Sequence, residues 1–334
     1  MGVVLSSMLI HGVSGSMVAD ISAICAMMLG PLERAGYARQ YSLSLIGTAG
    51  AFSNLIPPSI LMIVVAAVAN VSVIALFTAG LLPSVLLGVL FIGLIYLQAR
   101  IYNMPRDATS SPRELLRGVK DASLALGIPI IIFGGIRLGI ATITEMAAVT
   151  VVYALLVAGL IYRKLTWKIL LDAMVETSIS TGMITMLLGF AMIFGYLIAI
   201  EGVPQAFAHW MRVEHVPPWG VLVITALIFI FIGSVLEGAP AVLIFVPILL
   251  PLVRALGIDV MQWLVIVVLS ASIGLFMPPT GIAILVASNI GKVGMEKLVI
   301  PMLPFLGILL LGLGLLILFP PIATVMPHLF DLPY

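Results

Sequence analysis

Charged residues are scarce in this chain, and their scarcity decides its class. Only 9% of its 334 residues are Asp, Glu, Lys or Arg, 62% are hydrophobic, and the formal net charge is +1. The mean hydropathy is +1.29, a value that a water-soluble globule with a charged surface does not reach. The chain has no basic face for nucleic acid and no acidic tail. The composition therefore predicts a protein that resides in a lipid bilayer.

Cysteine is also nearly absent, since Cys25 is alone, which excludes internal disulfides and cysteine metal clusters. The sequence contains neither a His-Glu-x-x-His nor a Gly-x-Ser-x-Gly motif, so an intramembrane enzyme is the least favoured function class. Nothing at the N-terminus resembles a removable signal peptide. Membrane insertion is then expected to depend on the spans themselves.

Long apolar runs take the place of charge. Residues 42–99 contain no charged side chain, and these 58 residues accommodate two helical spans of roughly 20 residues each, with Asn70–Ser72 as the turn. The uninterrupted Leu, Ile and Val stretches do not alternate as β-barrel strands do. The sequence thus predicts an all-α polytopic membrane protein. Further charge-poor runs cover 122–136, 146–162, 177–200, 215–236, 260–291 and 298–330.

Two of these spans contain a pair of prolines, in Ile56-Pro57-Pro58-Ser59 and in Met277-Pro278-Pro279-Thr280. Consecutive prolines remove two amide donors and clash with the preceding turn, so each helix is expected to open there. Opened backbone at membrane depth is tolerated only where it is buried in protein or faces a watery cavity. Both pairs are therefore candidate functional positions, and simple kinks are the alternative.

The two proline pairs are 221 residues apart, and the same shift matches other features, which predicts an internal repeat. Upstream, Ser14-Gly15-Ser16 falls beside Val235-Leu236-Glu237, so each copy begins with an interrupted hairpin. Counterparts of residues 122–218 would precede Met1, so the chain is expected to lack the N-terminal part of the repeat. The other matched positions are Gly36 and Gly257, Leu82-Pro83 and Leu303-Pro304, and Ser59 and Thr280.

Loop charge predicts that the two copies are inverted. If residues 1–30 and 219–250 form re-entrant hairpins, twelve Lys or Arg lie on one side and three on the other, a strong positive-inside bias. This orientation assumes two spans within 122–162, because one long span there would reverse everything downstream. The twelve are in the loops 31–41, 100–121, 163–176 and 288–297, and the three are Arg137, Arg212 and Arg254.

The resulting domain prediction has five parts. They are a first transport-domain repeat at 1–99 (hairpin 1–30, broken helix 42–69, helix 73–99), a cytoplasmic linker at 100–121, scaffold or connecting helices at 122–218, a second, inverted repeat at 219–320, and a tail at 321–334.

Matched broken elements in two inverted halves point to a binding site near the bilayer midplane. A half-helix N-terminus offers amide groups to an anion, and a half-helix C-terminus offers carbonyl oxygens to a cation. Side-chain oxygens near the breaks can supplement both, although a Ser or Thr in a membrane helix more often bonds its own backbone. The oxygen-bearing candidates are Ser14, Ser16, Ser53, Asn54, Ser59, Ser270, Ser272 and Thr280.

Asp20 and Glu237 lie within or beside the hairpin tips, where an unpaired charge is costly. Each is expected either to handle an ion or to cap a half-helix, and the two alternatives are equally favoured. His11 is expected to be a packed polar residue rather than a proton relay.

Several motifs in order resemble the large membrane subunit of tripartite ATP-independent periplasmic (TRAP) transporters, from end to end of the chain. One departure is Thr142-Ile143-Thr144-Glu145, where the family pattern has Thr-Pro-Thr-Glu. The motifs are Ser14-Gly-Ser-Met-Val-Ala-Asp20, Gly30-Pro31, Ala35-Gly36-Tyr37, Ile56-Pro-Pro-Ser59, Ala79-Gly80-Leu-Leu-Pro83, Glu201-Gly-Val-Pro204, Leu236-Glu-Gly-Ala-Pro240, Pro247-Ile-Leu-Leu-Pro251, Leu256-Gly-Ile-Asp259 and Gly274-Leu-Phe-Met-Pro-Pro279.

The resemblance implies a sodium-coupled, elevator-type importer of organic acids, such as C4-dicarboxylates or sialic acid, in the bacterial inner membrane. It implies two partners, a periplasmic substrate-binding protein and a small membrane subunit, and no cofactor beyond coupling sodium ions. The implied substrate-binding residues are Ser14, Gly15, Ser16, Ser59, Glu237, Gly238 and Thr280. The implied sodium ligands are Ser16, Ser53, Asn54, Pro57, Ser59, Gly238, Ala239, Pro278 and Thr280. A non-functional permease fragment and an ion channel remain alternatives.

Overall fold

The computed structural model describes residues 1–104, 123–132, 134–135, 141–202, 205–206, 216–277, 281–330 and 332, and within these ranges all regular structure is helical. The helices are α1 (Gly2–Ser14), α2 (Met17–Arg34), α3 (Arg39–Ser53), α4 (Ile60–Ala69), α5 (Val73–Ile101), α6 (Ser123–Ile132), α7 (Ile143–Leu156), α8 (Trp167–Ile200), α9 (Pro218–Gly233), α10 (Gly238–Ala255), α11 (Val260–Phe276), α12 (Ile282–Gly291), α13 (Glu296–Leu318) and α14 (Pro321–Leu329).

Five helical stretches in the described ranges are long and apolar enough to cross a bilayer. The prediction of a polytopic helical membrane protein is confirmed at this level. A π-helical turn, Val157–Ile161, extends α7 into the second of the five. These stretches are Val73–Ile101, Thr144–Ile161, Trp167–Leu197, Gly238–Ala255 and Glu296–Leu318.

The chain divides into two compact units, one made of Met1–Asp107 with Ala191–Tyr334 and the other of Ala108–Phe190. In the second unit, the Tyr153 hydroxyl donates to the Leu124 carbonyl at 2.8 Å and so connects α7 to α6. Thr142 and Glu145 form a capping box at the start of α7, which satisfies amides that have no partner within the helix. Arg137, one of the three basic residues predicted on the less positive side of the membrane, lies outside the described residues.

One predicted boundary is wrong. The loop expected at 163–176 is helical from Trp167 onward, because Thr166 accepts from the Ile169 amide and starts α8, whose 34 residues exceed what the hydrocarbon core requires. The tail expected at 321–334 contains α14, which begins with Pro321 at a position where its missing amide hydrogen costs nothing. Helix α14 packs on α5 and α11.

The first proline pair interrupts its span as predicted. Helix α3 ends at Ser53, α4 begins at Ile60, and the Pro57–Pro58 peptide bond between them is cis. The predicted turn is also confirmed, because Asn70 adopts the left-handed conformation after α4 and the Ser72 side chain caps α5. At the second pair, α11 ends at Phe276 and α12 begins at Ile282, and residues 278–280 lie outside the described ranges.

Helix boundaries recur at the 221-residue spacing within the first unit. Shifted by 221 positions, α2 falls on α10 at both ends, and α3 begins where α11 begins. The loops after α2 and α10 share a backbone form, since Gly36 and Gly257 both have positive φ, 89° and 68°. The amides of Tyr37 and Ile258 each donate a hydrogen bond to the helix carbonyl five residues earlier in the chain. The repetition in sequence is therefore also a repetition in local structure.

Helices α3 and α11 are central in this unit. Each residue from Ser42 to Ser53, and each from Met261 to Phe276, is buried. Helix α12 packs on α2 and α3, while α4 packs on α10 and α11, so each broken span contacts the other half's hairpin. Such reciprocal contacts are typical of a two-fold relation, in which one surface meets its counterpart. The start of α4, which follows the first proline break, and the start of α12 are thereby each brought against the hairpin of the other half.

Candidate functional site

The tip of the first hairpin lies against the first proline break. Gly15 links α1 to α2 with a φ of 64°, a backbone conformation that residues with a side chain rarely adopt. A Cβ at this position would also lie 3.0 Å from the Pro58 carbonyl oxygen. The Ile60 amide, at the start of α4, donates to the Gly15 carbonyl at 3.3 Å. Glycine at this position lets the tip approach the opened backbone closely enough for that bond.

A chain of polar contacts fixes the same tip from inside the protein. The fully buried Asp20 carboxylate contacts His11 Nδ1 and accepts from the Ser14 hydroxyl. Ser14 Oγ in turn accepts from the Ser16 amide at 3.1 Å. Asp20 therefore bonds side chains at the tip, while Ser16 is the residue that caps α2, and the burial of Asp20 is offset by these partners.

The start of α10 forms the corresponding part of the second half. Glu237 precedes the helix, is exposed, and makes no side-chain cap bond. Gly238 is buried, and a Cβ there would lie 3.1 Å from Leu275 Cδ1 and 3.5 Å from Leu61 Cδ1. A larger residue at position 238 would thus occupy the space between the two halves.

A cavity of about 130 Å³ separates these elements, and four helices begin at it. They are α2 at Met17, α4 at Ile60, α10 at Gly238 and α12 at Ile282. Each helix N-terminus carries partial positive charge and amide groups without an intrahelical acceptor, so the four together favour an anion. The cavity is similar in size to an engineered one of about 150 Å³ that binds benzene, a ligand of six heavy atoms.

The lining of this cavity follows the 221-residue repeat. Ser16 is matched by Glu237, and Asn54 by Leu275, so the two halves meet the cavity at equivalent positions with different chemistry. The lining residues are Gly15, Ser16, Met17, Val18, Asn54, Ile60, Leu61, Glu237, Gly238, Ala239, Leu275 and Ile282.

Sequence reasoning placed six of these residues at the site: Gly15, Ser16, Asn54, Glu237, Gly238 and Ala239. Four other candidates are close by in the chain without lining the cavity. Ser14 and Ser53 belong to the polar chain behind the tip, Ser59 caps α4 by accepting from the Met62 amide at 3.4 Å, and Pro57 is buried in the break. Pro278 and Thr280 lie outside the described residues.

Sequence reasoning missed the apolar residues that begin the helices, Met17, Val18, Ile60, Leu61 and Ile282, and also Leu275. They carry no side-chain chemistry that would mark them. Their place in the sequence could have identified most of them, because a residue that directly follows a break starts a new helix and presents its backbone amide there. Ser270 and Ser272 are buried in α11, and the Ser272 hydroxyl donates to the Val268 carbonyl at 2.8 Å.

A multi-pass helical protein in which several helices begin at a shared cavity has an arrangement typical of membrane transporters. The sequence model for the DctM component of the tripartite ATP-independent periplasmic transporter matches residues 2–322, and the chain belongs to this family. It is therefore a component of a transporter and not an enzyme, and it works with partner subunits.

Curated relatives cover nearly the whole chain. It is 33% identical over 325 residues to the C4-dicarboxylate TRAP transporter large permease protein DctM of Pseudomonas aeruginosa, covering 97% of this chain and 76% of the relative. It is 31% identical over 327 residues to the sialic acid permease SiaM of Vibrio cholerae, covering 98% and 77%. It is 31% identical over 324 residues to the 2,3-diketo-L-gulonate permease YiaN of Escherichia coli, covering 97% and 76%.

Proposed function

We propose that this chain is the permease subunit of a sodium-coupled secondary transporter that imports small organic acids across the bacterial inner membrane. The observation that carries the proposal is the meeting of four helix N-termini at one cavity. The solutes named for the three relatives, C4-dicarboxylate, sialic acid and 2,3-diketo-L-gulonate, are carboxylic acids. A carboxylate is the group that such an arrangement of amides favours.

In this proposal, the substrate carboxylate lies between the starts of α2 and α10. The amides following Ser16 and Glu237 face it from two halves, and the absence of a side chain at Gly15 and Gly238 leaves room for it. Ser14 and Ser59 support this position from behind the cavity lining, and Thr280 is retained as a proposed substrate-binding residue from the sequence. Glu237 adds a negative charge at the cavity, which attracts the coupling cation and repels an anion that enters without it.

Sodium is proposed to bind at the hairpin tips and the helix breaks. A hard cation prefers oxygen ligands, and the ends of α1 and α3 offer carbonyl groups beside hydroxyl and amide side chains. The second half offers the carbonyls of its hairpin tip. The proposed ligand set is Ser16, Ser53, Asn54, Pro57, Ser59, Gly238, Ala239, Pro278 and Thr280.

The reciprocal packing of the two halves supports an inverted repeat. We propose that residues 1–99 and 219–320 form the moving transport part, with re-entrant hairpins at 1–30 and 219–250, and that 122–218 contribute scaffold and connecting helices. The biased loop charge supports opposite orientations in the membrane. Movement of the transport part against the scaffold would expose the cavity alternately to each side, as in an elevator.

The proposed partners are a periplasmic binding protein, which delivers the organic acid, and a small membrane subunit, which supports the permease. The test is uptake of a labelled organic acid into proteoliposomes that contain the chain, its membrane partner and its binding protein. Uptake is expected to require an inward sodium gradient and to saturate with substrate. Uptake that is indifferent to sodium would remove the coupling, and currents without saturable substrate dependence would favour a channel.

A further inference from the structure

His11 is a fully buried residue that joins three helices behind the hairpin tip. It lies in the last turn of α1, its Nδ1 contacts Asp20 Oδ2 on α2, and the same nitrogen is 3.1 Å from Ser53 Oγ at the end of α3. None of the proposed substrate or sodium contacts uses the imidazole. Its position nevertheless connects the hairpin to the first proline break.

The hydrogen bonds around Nδ1 determine which nitrogen of the His11 ring carries the hydrogen. The Ser53 hydroxyl donates to the Gly50 carbonyl at 2.6 Å, so its oxygen can only accept from the imidazole. Asp20 accepts as well, which assigns the hydrogen to Nδ1. The other ring nitrogen, Nε2, is buried without a hydrogen-bond partner among the described residues. The polar function of His11 is therefore performed by Nδ1 alone.

The contacts continue from His11 to the cavity. Asp20 holds the Ser14 hydroxyl, Ser14 Oγ accepts from the Ser16 amide, and Ser16 lines the cavity. If the imidazole donor is lost, the buried carboxylate loses a partner and must find another or admit water. Either change moves the Asp20 carboxylate and alters the contact of its other oxygen with Ser14. Because Ser14 in turn accepts from the Ser16 amide, the conformation of the tip changes as well.

We propose that His11 is a positioning residue, which orients Asp20 and thereby fixes the Ser14–Ser16 tip in its binding-competent conformation. The proposal rests on the proposed function, because it assigns the tip a role in binding substrate and sodium. It differs from a packing role in one respect. A packing residue acts through its volume, whereas His11 acts through a donor at one specific ring position.

Two amide substitutions separate these roles. In His11→Asn the side-chain nitrogen takes the place of Nδ1, and in His11→Gln, which is closer to histidine in volume, it takes the place of Nε2. In the full transporter, His11→Gln is expected to raise the half-saturating sodium and substrate concentrations about tenfold with a smaller change in maximal rate. His11→Asn is expected to stay within about twofold of the unsubstituted chain.

Two further measurements complete the test. Ser7→Ala is the control and should leave both constants unchanged, because Ser7 lies one turn earlier on α1 and its buried hydroxyl has no hydrogen-bond partner in the part of the chain that the structure describes. Combining His11→Gln with Asp20→Asn should add nothing to Asp20→Asn alone, because both act through one contact. Equal effects of Asn and Gln, or additive effects with Asp20→Asn, would overturn the positioning role.

Hydrogen–deuterium exchange keeps this result separate from the proposed function. In the purified complex, amides at 12–19 should exchange faster in His11→Gln than in His11→Asn. If the unsubstituted transporter shows no sodium-dependent uptake but the exchange difference is present, the sodium coupling fails and the positioning of the tip stands. If uptake depends on sodium and the two variants exchange alike, the positioning role fails.

Discussion

Asn54 and Ser272, 218 residues apart, are joined by a hydrogen bond in which Asn54 Nδ2 donates to Ser272 Oγ at 2.9 Å. The bond connects the end of α3 to α11, the two central helices, directly behind the cavity. Asn54 also lines the cavity, and its counterpart in the other half is the apolar Leu275. The polar contact between the two central helices is thus made by Asn54 from the first half, and Leu275 has no polar group with which to repeat it from the second half.

Asn54→Ala should therefore weaken transport more than Ser272→Ala. The first removes the cavity amide and the bond between α3 and α11, and leaves the Ser272 oxygen without its donor. We expect a reduction of about tenfold in uptake at limiting substrate, measured in proteoliposomes at matched protein levels. Ser272→Ala removes the acceptor of this bond and the donor to the Val268 carbonyl but keeps the cavity amide of Asn54, and it is expected to cost about threefold or less. Equal activity of Asn54→Ala and the unsubstituted chain would contradict the role of the bond.

Gly15→Ala should damage the tip. The residue has φ 64°, and the added Cβ would lie 3.0 Å from the Pro58 carbonyl oxygen, which cannot move without shifting the break. A left-handed conformation costs a non-glycine residue roughly 1–2 kcal/mol, so a lower thermal midpoint in detergent and strongly reduced uptake are expected. Gly30→Ala is the matched control, because its Cβ meets nothing within 4 Å and α2 gains a better helix former.

Gly274→Ala should destabilise the protein without touching the cavity. A Cβ at this position would meet the Ile230 carbonyl oxygen and lie 2.8 Å from Gly233 Cα, where α9 crosses α11 backbone to backbone. Overpacking of this kind costs about 1–3 kcal/mol, which thermal unfolding in detergent can measure. Gly314→Ala in α13 meets nothing within 4 Å and should leave the midpoint unchanged. A Gly274→Ala protein as stable as this control would contradict the crossing.

Glu237→Gln should reduce the apparent affinity for sodium. The carboxylate is exposed at a cavity to which four helix N-termini already give positive character, so removing its charge makes the cavity less favourable for a cation. An exposed charge is screened, and we expect the half-saturating sodium concentration to rise only about threefold. The control is Glu296→Gln, an exposed acidic residue at the start of α13. An unchanged sodium dependence of uptake would exclude this role for Glu237.

Local backbone chemistry was predictable from particular residues. Pro57 and Pro58 have no amide hydrogen to donate, so the end of α3 and the restart at α4 follow from composition at that position. Gly36 and Gly257 were expected in loops, where glycine adopts positive φ at little cost because it has no Cβ. The start of α8 at Trp167 was not predictable from charge, because a helix longer than the hydrocarbon core carries charged residues into water without ending.

The sequence by itself determined that the chain is helical, resides in a membrane, and interrupts a span at Pro57-Pro58, because hydropathy and missing amide donors act over a few neighbouring residues. Only the tertiary structure decided that the starts of four helices meet at one cavity, that His11 and Asp20 pair, and that Asn54 bonds to Ser272. The cavity and the Asn54–Ser272 bond depend on how α3 and α11 pack together, and packing between residues more than 200 positions apart leaves no local pattern in the chain. The His11–Asp20 contact joins residues nine positions apart, and it depends on how α1 and α2 fold back on each other at Gly15.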